Sequence, residues 1–165
     1  FIYDVRYNRG GRVTELRKIL DRLLPECEIF IAVEKNGQED VSYSDETELD
    51  LPAVVLVNSY SYSAAEYFAA VLQEYDYATV VGQATTGKSR SQITLTLPDG
   101  GALHISSGEY LTPDRISLTE QGGIKPDTEV VLSDEDTAML YAGMLDSADD
   151  SQLQKAVELM RDAAG

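Results

Sequence analysis

The most chemically suggestive part of the chain is a serine placed where a buried strand leads into a helix. The apolar run 53–57 is typical of a strand covered on both faces, and an amphipathic helix is predicted to begin near Ser63. Unpaired backbone N–H groups at a helix start can stabilise an oxyanion beside a nucleophile. With Glu66 three residues later, Ser63 equally fits an ordinary capping box, which the local sequence alone favours.

A serine nucleophile needs a base, and two residues are candidates. His104 is the one histidine of the chain, and it lies on an alternating stretch where a structural role explains it better. Lys88 lies in a loop before a predicted strand, and the amide oxygen of Gln92, four residues later, would hold its amine. Deprotonating a lysine near neutral pH costs about 4 kcal/mol. The net charge of −16 favours the protonated amine, so only local burial could lower the pKa of Lys88 far enough. The alternative is that Lys88 is an ordinary surface lysine.

Residues 82–89 also match the phosphate-binding pattern Gly-x4-Gly-Lys-Ser/Thr. That pattern requires a helix after the lysine, whereas an alternating strand is predicted here, and no obvious acidic strand of the Walker B type follows. An acyl-CoA enzyme is disfavoured as well, because the sequence has no evident basic patch for the phosphates of the coenzyme. Nucleotide or coenzyme chemistry is therefore the weaker alternative.

Composition excludes further classes of function. The 165 residues suit one globular domain, with 43% hydrophobic and 25% charged residues. The net charge of −16 argues against nucleic acid or an anionic membrane surface as a partner, and no apolar run approaches the ~20 residues of a membrane span. One cysteine, Cys27, excludes an internal disulfide and a cysteine-based metal cluster. Because the chain starts inside a predicted strand without an initiator methionine, we expect a piece of a longer protein.

The predicted elements alternate between strands and helices, which favours an α/β fold with a parallel sheet and crossover helices. The acidic stretch 39–50 is predicted to be a solvated loop with a short strand at 39–43, and residues 134–163 are predicted to form two solvent-facing helices. The remaining predicted elements are a strand at 1–6, a helix at 13–24, strands at 28–34 and 53–57, a helix at 63–75, a strand at 78–81 and a hairpin at 93–105.

Six separated motifs resemble, in the same order, those of the C-terminal processing peptidases, also called tail-specific proteases. The resemblance runs from residue 1 to about residue 132 and leaves out the acidic helical end. The motifs lie at 4–11, 58–66, 81–92, 97–100, 110–113 and 123–127.

The resemblance implies a crotonase/Clp-protease-like core with a β-hairpin and a helical C-terminal end. It also implies a serine endopeptidase that forms an acyl-enzyme and cleaves polypeptides near their C-termini, with no metal or organic cofactor. Ser63 would be the nucleophile, Lys88 the general base 25 positions later, and Gln92 the residue that orients the lysine. The family pattern implies an oxyanion hole formed by the backbone N–H of Ala64 and one from the turn at Gly10 and Gly11. Glu66 and Thr85 would occupy supporting positions.

The resemblance also predicts the surroundings of this core. We expect residues 1–165 to be a single catalytic domain, with a PDZ domain and an N-terminal signal or anchor elsewhere in the full-length chain. A polypeptide substrate, compatibility with a homo-oligomer and an extracytoplasmic location follow from the same family. Tyr60 and Tyr62 replace small residues of the family pattern and would either narrow the substrate cleft or change its preference, and Ser89 stands where glycine is common. A non-catalytic peptide- or ligand-binding module on the same fold is the main alternative.

Overall fold

The computed structural model describes residues 1–164 and places two four-stranded sheets beside five helices. The chain alternates between strand and helix up to Gly82, then forms a long hairpin, and ends in two helices. In chain order the elements are β1 (Ile2–Asp4), α1 (Val13–Leu23), β2 (Glu28–Val33), β3 (Glu39–Tyr43), β4 (Ala53–Val57), α2 (Ala64–Glu74), β5 (Ala78–Gly82), β6 (Arg90–Thr96), β7 (Ala102–Leu111), α3 (Leu118–Gln121), β8 (Thr128–Glu129), α4 (Asp134–Tyr141) and α5 (Ser151–Ala164).

The first sheet is parallel, in the order β1-β4-β5-β8, with α2 as the crossover between β4 and β5. Every residue of β4 is buried. Val55 and Val57 pack into the core that contains α1 and α2, while Val54 and Leu56 pack with Ala156 of α5. The prediction of a strand covered on both faces is confirmed, and so is the α/β class.

The second sheet is antiparallel, in the order β3-β2-β7-β6. The predicted hairpin is present and longer than expected, because β7 also pairs with β2 through Ile31 and Leu111. The short strand predicted at 39–43 is present as β3, so the loop predicted for the acidic stretch begins only after Tyr43. Acidic side chains are compatible with this strand because β3 is an edge strand with no fully buried residue.

The two helices predicted within 134–163 are confirmed as α4 and α5, but this end of the chain is more than a solvated face. The guanidinium of Arg6, only 3% exposed, lies 2.8 Å from the carboxylate of Asp150 and 2.6 Å from that of Asp4. Burial by itself would raise the pKa of Asp150. The hydrogen bonds and charge of Arg6, together with hydrogen bonds from the backbone N–H groups of Leu153 and Gln152, outweigh it and hold that pKa below its ordinary value. This ion pair fastens the start of α5 to the end of β1.

The short elements α3 and β8 were not predicted from the sequence. Within residues 1–164, no helix combines the length and the hydropathy needed to cross a bilayer.

Candidate active site

Ser63 lies at the junction of β4 and α2 with an unusual backbone conformation, φ 58° and ψ −122°. Positive φ is uncommon outside glycine, and strain of this kind is concentrated at functional sites. An ordinary N-cap has extended backbone angles. Ser63 does form a capping box with Glu66, whose carboxylate accepts the Ser63 N–H at 2.8 Å, but it does so from this different backbone conformation. The capping box expected from the local sequence is therefore present, but the backbone of Ser63 resembles the sharp strand-to-helix turn that exposes the nucleophilic serine of α/β-hydrolases.

The loop before Ser63 is held by a compact set of hydrogen bonds. The Asn58 side-chain oxygen accepts the backbone N–H groups of Tyr7 at 3.1 Å and Tyr60 at 3.0 Å. The Ser61 hydroxyl donates to the carbonyl of Val5 at 2.8 Å. These bonds tie the serine loop to the residues that follow β1, so the strained conformation of Ser63 is imposed by its surroundings.

Glu66 is fully buried and joins the serine loop to the lysine loop. One carboxylate oxygen accepts the hydroxyl of Thr85 and the N–H of Gly87, each at 2.8 Å. The other oxygen accepts the backbone N–H groups of Ser63 at 2.8 Å and Lys88 at 2.9 Å. A single oxygen atom therefore brings the backbones of the two candidate catalytic residues together, although they are 25 positions apart in the chain.

The lysine loop is packed just as tightly on its other side. A Cβ atom on Gly87, whose φ is +85°, would lie 2.6 Å from the backbone nitrogen of Gly123. The Thr85 hydroxyl oxygen accepts the N–H of Ile124 at 3.0 Å. The start of the motif at residues 123–127 therefore packs directly against the lysine loop and fixes its position.

The Lys88 side chain is half-buried and held by no acid. Its amine lies 5.1 Å from the ring centroid of Tyr62, and among the described residues it makes no salt bridge and no hydrogen bond, including to Ser63. Gln92 is exposed on β6, where it pairs with Ser106 of β7 rather than bonding to the lysine. The structure thus brings the loops of Ser63 and Lys88 together but leaves their side chains, and that of Gln92, apart.

The Ser63 hydroxyl has a different partner, which the sequence analysis missed. Its oxygen lies 3.1 Å from the phenolic oxygen of Tyr110, and the Tyr110 hydroxyl donates to the carbonyl of Lys88 at 2.7 Å. Burial raises the pKa of Tyr110 to about 12. In the sequence Tyr110 stands out only as part of the motif at 110–113, and no local pattern indicates that β7 reaches the serine.

The turn at Gly10 lies directly against the serine loop. A Cβ atom on Gly10, whose φ is +79°, would lie 2.6 Å from the carbonyl oxygen of Tyr62 and 2.7 Å from the backbone nitrogen of Ala64. The Gly10 N–H donates to the Asn8 side chain at 2.9 Å. Over residues 1–164, the N–H groups of Ala64 and Gly11 have no hydrogen-bond acceptor. Of the three residues expected to form an oxyanion hole, Ala64 and Gly11 therefore keep a free donor.

A cavity of about 380 Å³ extends from this turn between β1 and the two helices α1 and α2. Its wall is largely apolar, and its charged side chains are those of Asp4, Arg12 and Glu15. The residues that line it include Gly10, Gly11, Ala64, Tyr3, Leu16, Ile19 and Phe68.

The structure also tests two alternatives raised by the sequence, a histidine base at His104 and a phosphate-binding loop at residues 82–89. His104 is exposed on β7, where its Nδ1 lies 3.0 Å from the hydroxyl of Thr94. The strand β6 follows Lys88, so the helix N-terminus that a phosphate-binding loop requires is not there. Neither a histidine base nor a nucleotide loop fits the observed geometry.

Known proteins are similar to this chain in sequence and in fold. The chain is 36% identical over 161 residues to a carboxyl-terminal-processing protease from Synechocystis sp., covering 97% of this chain and 36% of that protein. It is 32% identical to a carboxy-terminal processing protease from Bacillus subtilis, covering 81% of this chain and 29% of that protein. The structure of a photosystem II D1 C-terminal processing protease matches with a TM-score of 0.69 and 27% identity, over 78% of this chain and 34% of that one.

The chain therefore spans about a third of the length of these relatives. The model of peptidase family S41 matches residues 1–130, which leaves α4 and α5 outside the matched region. The resemblance drawn from the six sequence motifs is confirmed, and the chain belongs to peptidase family S41, a family of serine peptidases.

Proposed function

We propose that this domain hydrolyses peptide bonds near the C-termini of polypeptides, with Ser63 as nucleophile and Lys88 as general base. The observation that carries the proposal is the Glu66 carboxylate, which holds the backbones of Ser63 and Lys88 on one oxygen beside the strained turn. The names of the relatives support the choice of a C-terminal substrate.

The reaction would begin when the neutral Lys88 amine takes the proton of Ser63 and the serine oxygen attacks the substrate carbonyl. The free N–H groups of Ala64 and Gly11 would bind the developing oxyanion, each such donor contributing about 3 kcal/mol to transition-state stabilisation. As the tetrahedral intermediate breaks down, Lys88 returns the proton to the leaving amine and an acyl-enzyme remains. Lys88 then takes a proton from a water molecule as the water oxygen attacks the acyl carbonyl carbon, and it gives that proton to the Ser63 oxygen as the bond to the acyl group breaks.

This reaction requires two side-chain movements from the arrangement described here. The Ser63 hydroxyl must leave Tyr110, and the Lys88 amine must leave the Tyr62 ring, whose π face attracts a cation. Because Glu66 already holds the two backbones together, we propose that both movements are rotamer changes rather than backbone changes. Gln92 would reach the lysine only after a similar change of its exposed side chain.

The apolar cavity beside Gly11 and Ala64 is the proposed site for a substrate side chain next to the scissile bond. Its walls of aliphatic and aromatic carbon favour an apolar residue over a charged one. Tyr60, which is 56% exposed, and Tyr62 stand on the serine loop where they would contact the extended substrate.

For the complete protein we further propose an extracytoplasmic location and a peptide-binding PDZ domain outside the present 165 residues. Both proposals rest on family analogy. The difference in length between this chain and its relatives leaves room for such a domain.

The experiment that tests the catalytic proposal uses the full-length protein and an unstructured polypeptide substrate. Ser63→Ala, Lys88→Ala and Lys88→Arg should each lower kcat/KM by at least about 10³-fold. Lys88→Arg belongs in this set because a guanidinium does not release its proton in the working range. Each variant should keep the wild-type melting temperature, and His104→Ala should keep most of the activity. A fluorophosphonate probe should label the wild type at Ser63.

Two results would contradict the proposal. Activity retained in Lys88→Ala would exclude the lysine as base. A full-length protein that binds the polypeptide but neither cleaves it nor takes the label would favour the non-catalytic binding module, an alternative to which the missing hydrogen bond between Ser63 and Lys88 gives some weight.

A further inference from the structure

The hydrogen bonds around the Tyr110 hydroxyl determine where the Ser63 proton points. A phenol has one proton to donate. The carbonyl oxygen of Lys88, 2.7 Å away, can only accept, so the Tyr110 proton is directed to that carbonyl. The contact of 3.1 Å between Ser63 and Tyr110 must then use the serine proton, with the phenolic oxygen as acceptor.

This direction is opposite to the one that catalysis needs. In the proposed reaction the serine proton passes to the Lys88 amine, yet here the proton is held by Tyr110 and the amine lies over the Tyr62 ring. We infer that Tyr110 is a positioning residue that holds the Ser63 hydroxyl in a resting orientation and competes with Lys88 for its proton. The inference rests on the proposed role of Ser63 as nucleophile.

The surroundings of Tyr110 make it suited to this role. Its side chain is 4% exposed, and its ring lies 5.5 Å from the rings of both Phe30 and Tyr67, so the phenol has little freedom to turn away. Because burial raises its pKa to about 12, the phenol keeps its proton at any pH at which a peptidase would be assayed. The contact is therefore a neutral hydrogen bond, and its loss corresponds to about a 2- to 12-fold change in the population of the freed serine.

Tyr110→Phe removes the phenolic oxygen and keeps the packed ring, and Tyr67→Phe is its matched control. Tyr67 is also fully buried, its ring contacts that of Tyr110, and its hydroxyl donates to the carbonyl of Leu111 at 2.8 Å. Each variant thus loses a buried bond from a phenol to a backbone carbonyl, but only Tyr110→Phe also loses the contact with Ser63.

The measurement is the second-order rate of fluorophosphonate labelling at Ser63 in the full-length protein, followed by mass spectrometry, together with the melting temperature of each variant. We expect Tyr110→Phe to be labelled about 2- to 12-fold faster than the wild type and Tyr67→Phe to match the wild type, while both lose similar thermal stability. A purely structural role of Tyr110 would leave the labelling rate unchanged or lower it. Labelling of Tyr110→Phe at or below the wild-type rate would overturn the inference.

A structural measurement separates this inference from the proposed function. Crystal structures of the wild type and of Tyr110→Phe should show the serine oxygen on Tyr110 in the first and displaced from that position in the second. If the wild type is never labelled, the proposed nucleophile is wrong, and the crystal structures still decide whether Tyr110 holds Ser63. A wild-type crystal structure without the contact between the two hydroxyls would directly refute the positioning role of Tyr110.

Discussion

Replacing Glu66 with glutamine changes the charge of the group that joins the two loops of the site while changing its shape very little. The carboxylate is fully buried and accepts four hydrogen bonds. A glutamine has only one oxygen, and its amide nitrogen would face donors on the other side. The least costly orientation keeps the oxygen toward the N–H groups of Ser63 and Lys88, because the Thr85 hydroxyl can turn and accept. The N–H of Gly87 is then left without an acceptor.

The expected cost follows from these bonds. One buried N–H without an acceptor costs about 1–3 kcal/mol, and each of the two retained bonds loses about 1 kcal/mol when its acceptor is no longer charged. The easier burial of a neutral amide offsets part of this loss, so we expect Glu66→Gln to lower the free energy of unfolding by about 2–4 kcal/mol. In a domain of this size that change corresponds to a melting temperature lower by roughly 5–15 °C.

Thermal denaturation of Glu66→Gln measures the loss of stability. The rate of fluorophosphonate labelling at Ser63 measures how far the variant displaces the serine and lysine loops. We expect labelling to slow by at least about 10-fold, since a displacement near 1 Å at a catalytic group has effects of this order or larger. Glu15→Gln is the control: Glu15 is also in the first turn of a helix, but its side chain is 57% exposed, so the change in stability should stay within about 0.5 kcal/mol. A Glu66→Gln protein that melts with the wild type and labels at the same rate would refute the role assigned to Glu66.

Two further predictions concern the serine turn and the helical end. Gly10→Ala should abolish labelling at Ser63 and lower stability, because its Cβ would lie 2.7 Å from the nitrogen of Ala64. Gly11→Ala should be labelled like the wild type, because no atom lies within 4 Å of its new Cβ. Equal labelling of the two variants would contradict this geometry. Asp150→Asn should lower the unfolding free energy at pH 7 by about 1.5–3 kcal/mol, because Arg6 keeps its pairing with Asp4 but loses the charge of its second, buried carboxylate. Since the pKa of Asp150 is held below its ordinary value, its contribution is complete above pH ~4 and is lost as the pH falls further. Urea unfolding should therefore show a difference between wild type and Asp150→Asn that shrinks at pH 3, and a constant difference would be evidence against the ion pair.

The sequence by itself determined the layout of the core and the loops that carry the site. The uninterrupted apolar run at Ala53–Val57 and the periodic helices on either side of it identify a parallel sheet, because periodicity reports which face of an element is buried. The family resemblance implied that Ser63 and Lys88 act as a pair. Their loops do lie together, because they follow the neighbouring parallel strands β4 and β5 and share the Glu66 carboxylate.

The tertiary structure alone decided which side chains meet at that edge. Tyr110 lies 47 positions from Ser63 and reaches it only because β7 pairs with β2 and so faces the start of α2. The same packing directs the Ser63 proton away from Lys88 and leaves Gln92 exposed on an edge strand, where four-residue spacing predicted a contact. Arg6 and Asp150 form their buried pair across 144 positions. Rotamers and contacts between distant elements depend on how two sheets and a helix pack together, and no local pattern of residues records that packing.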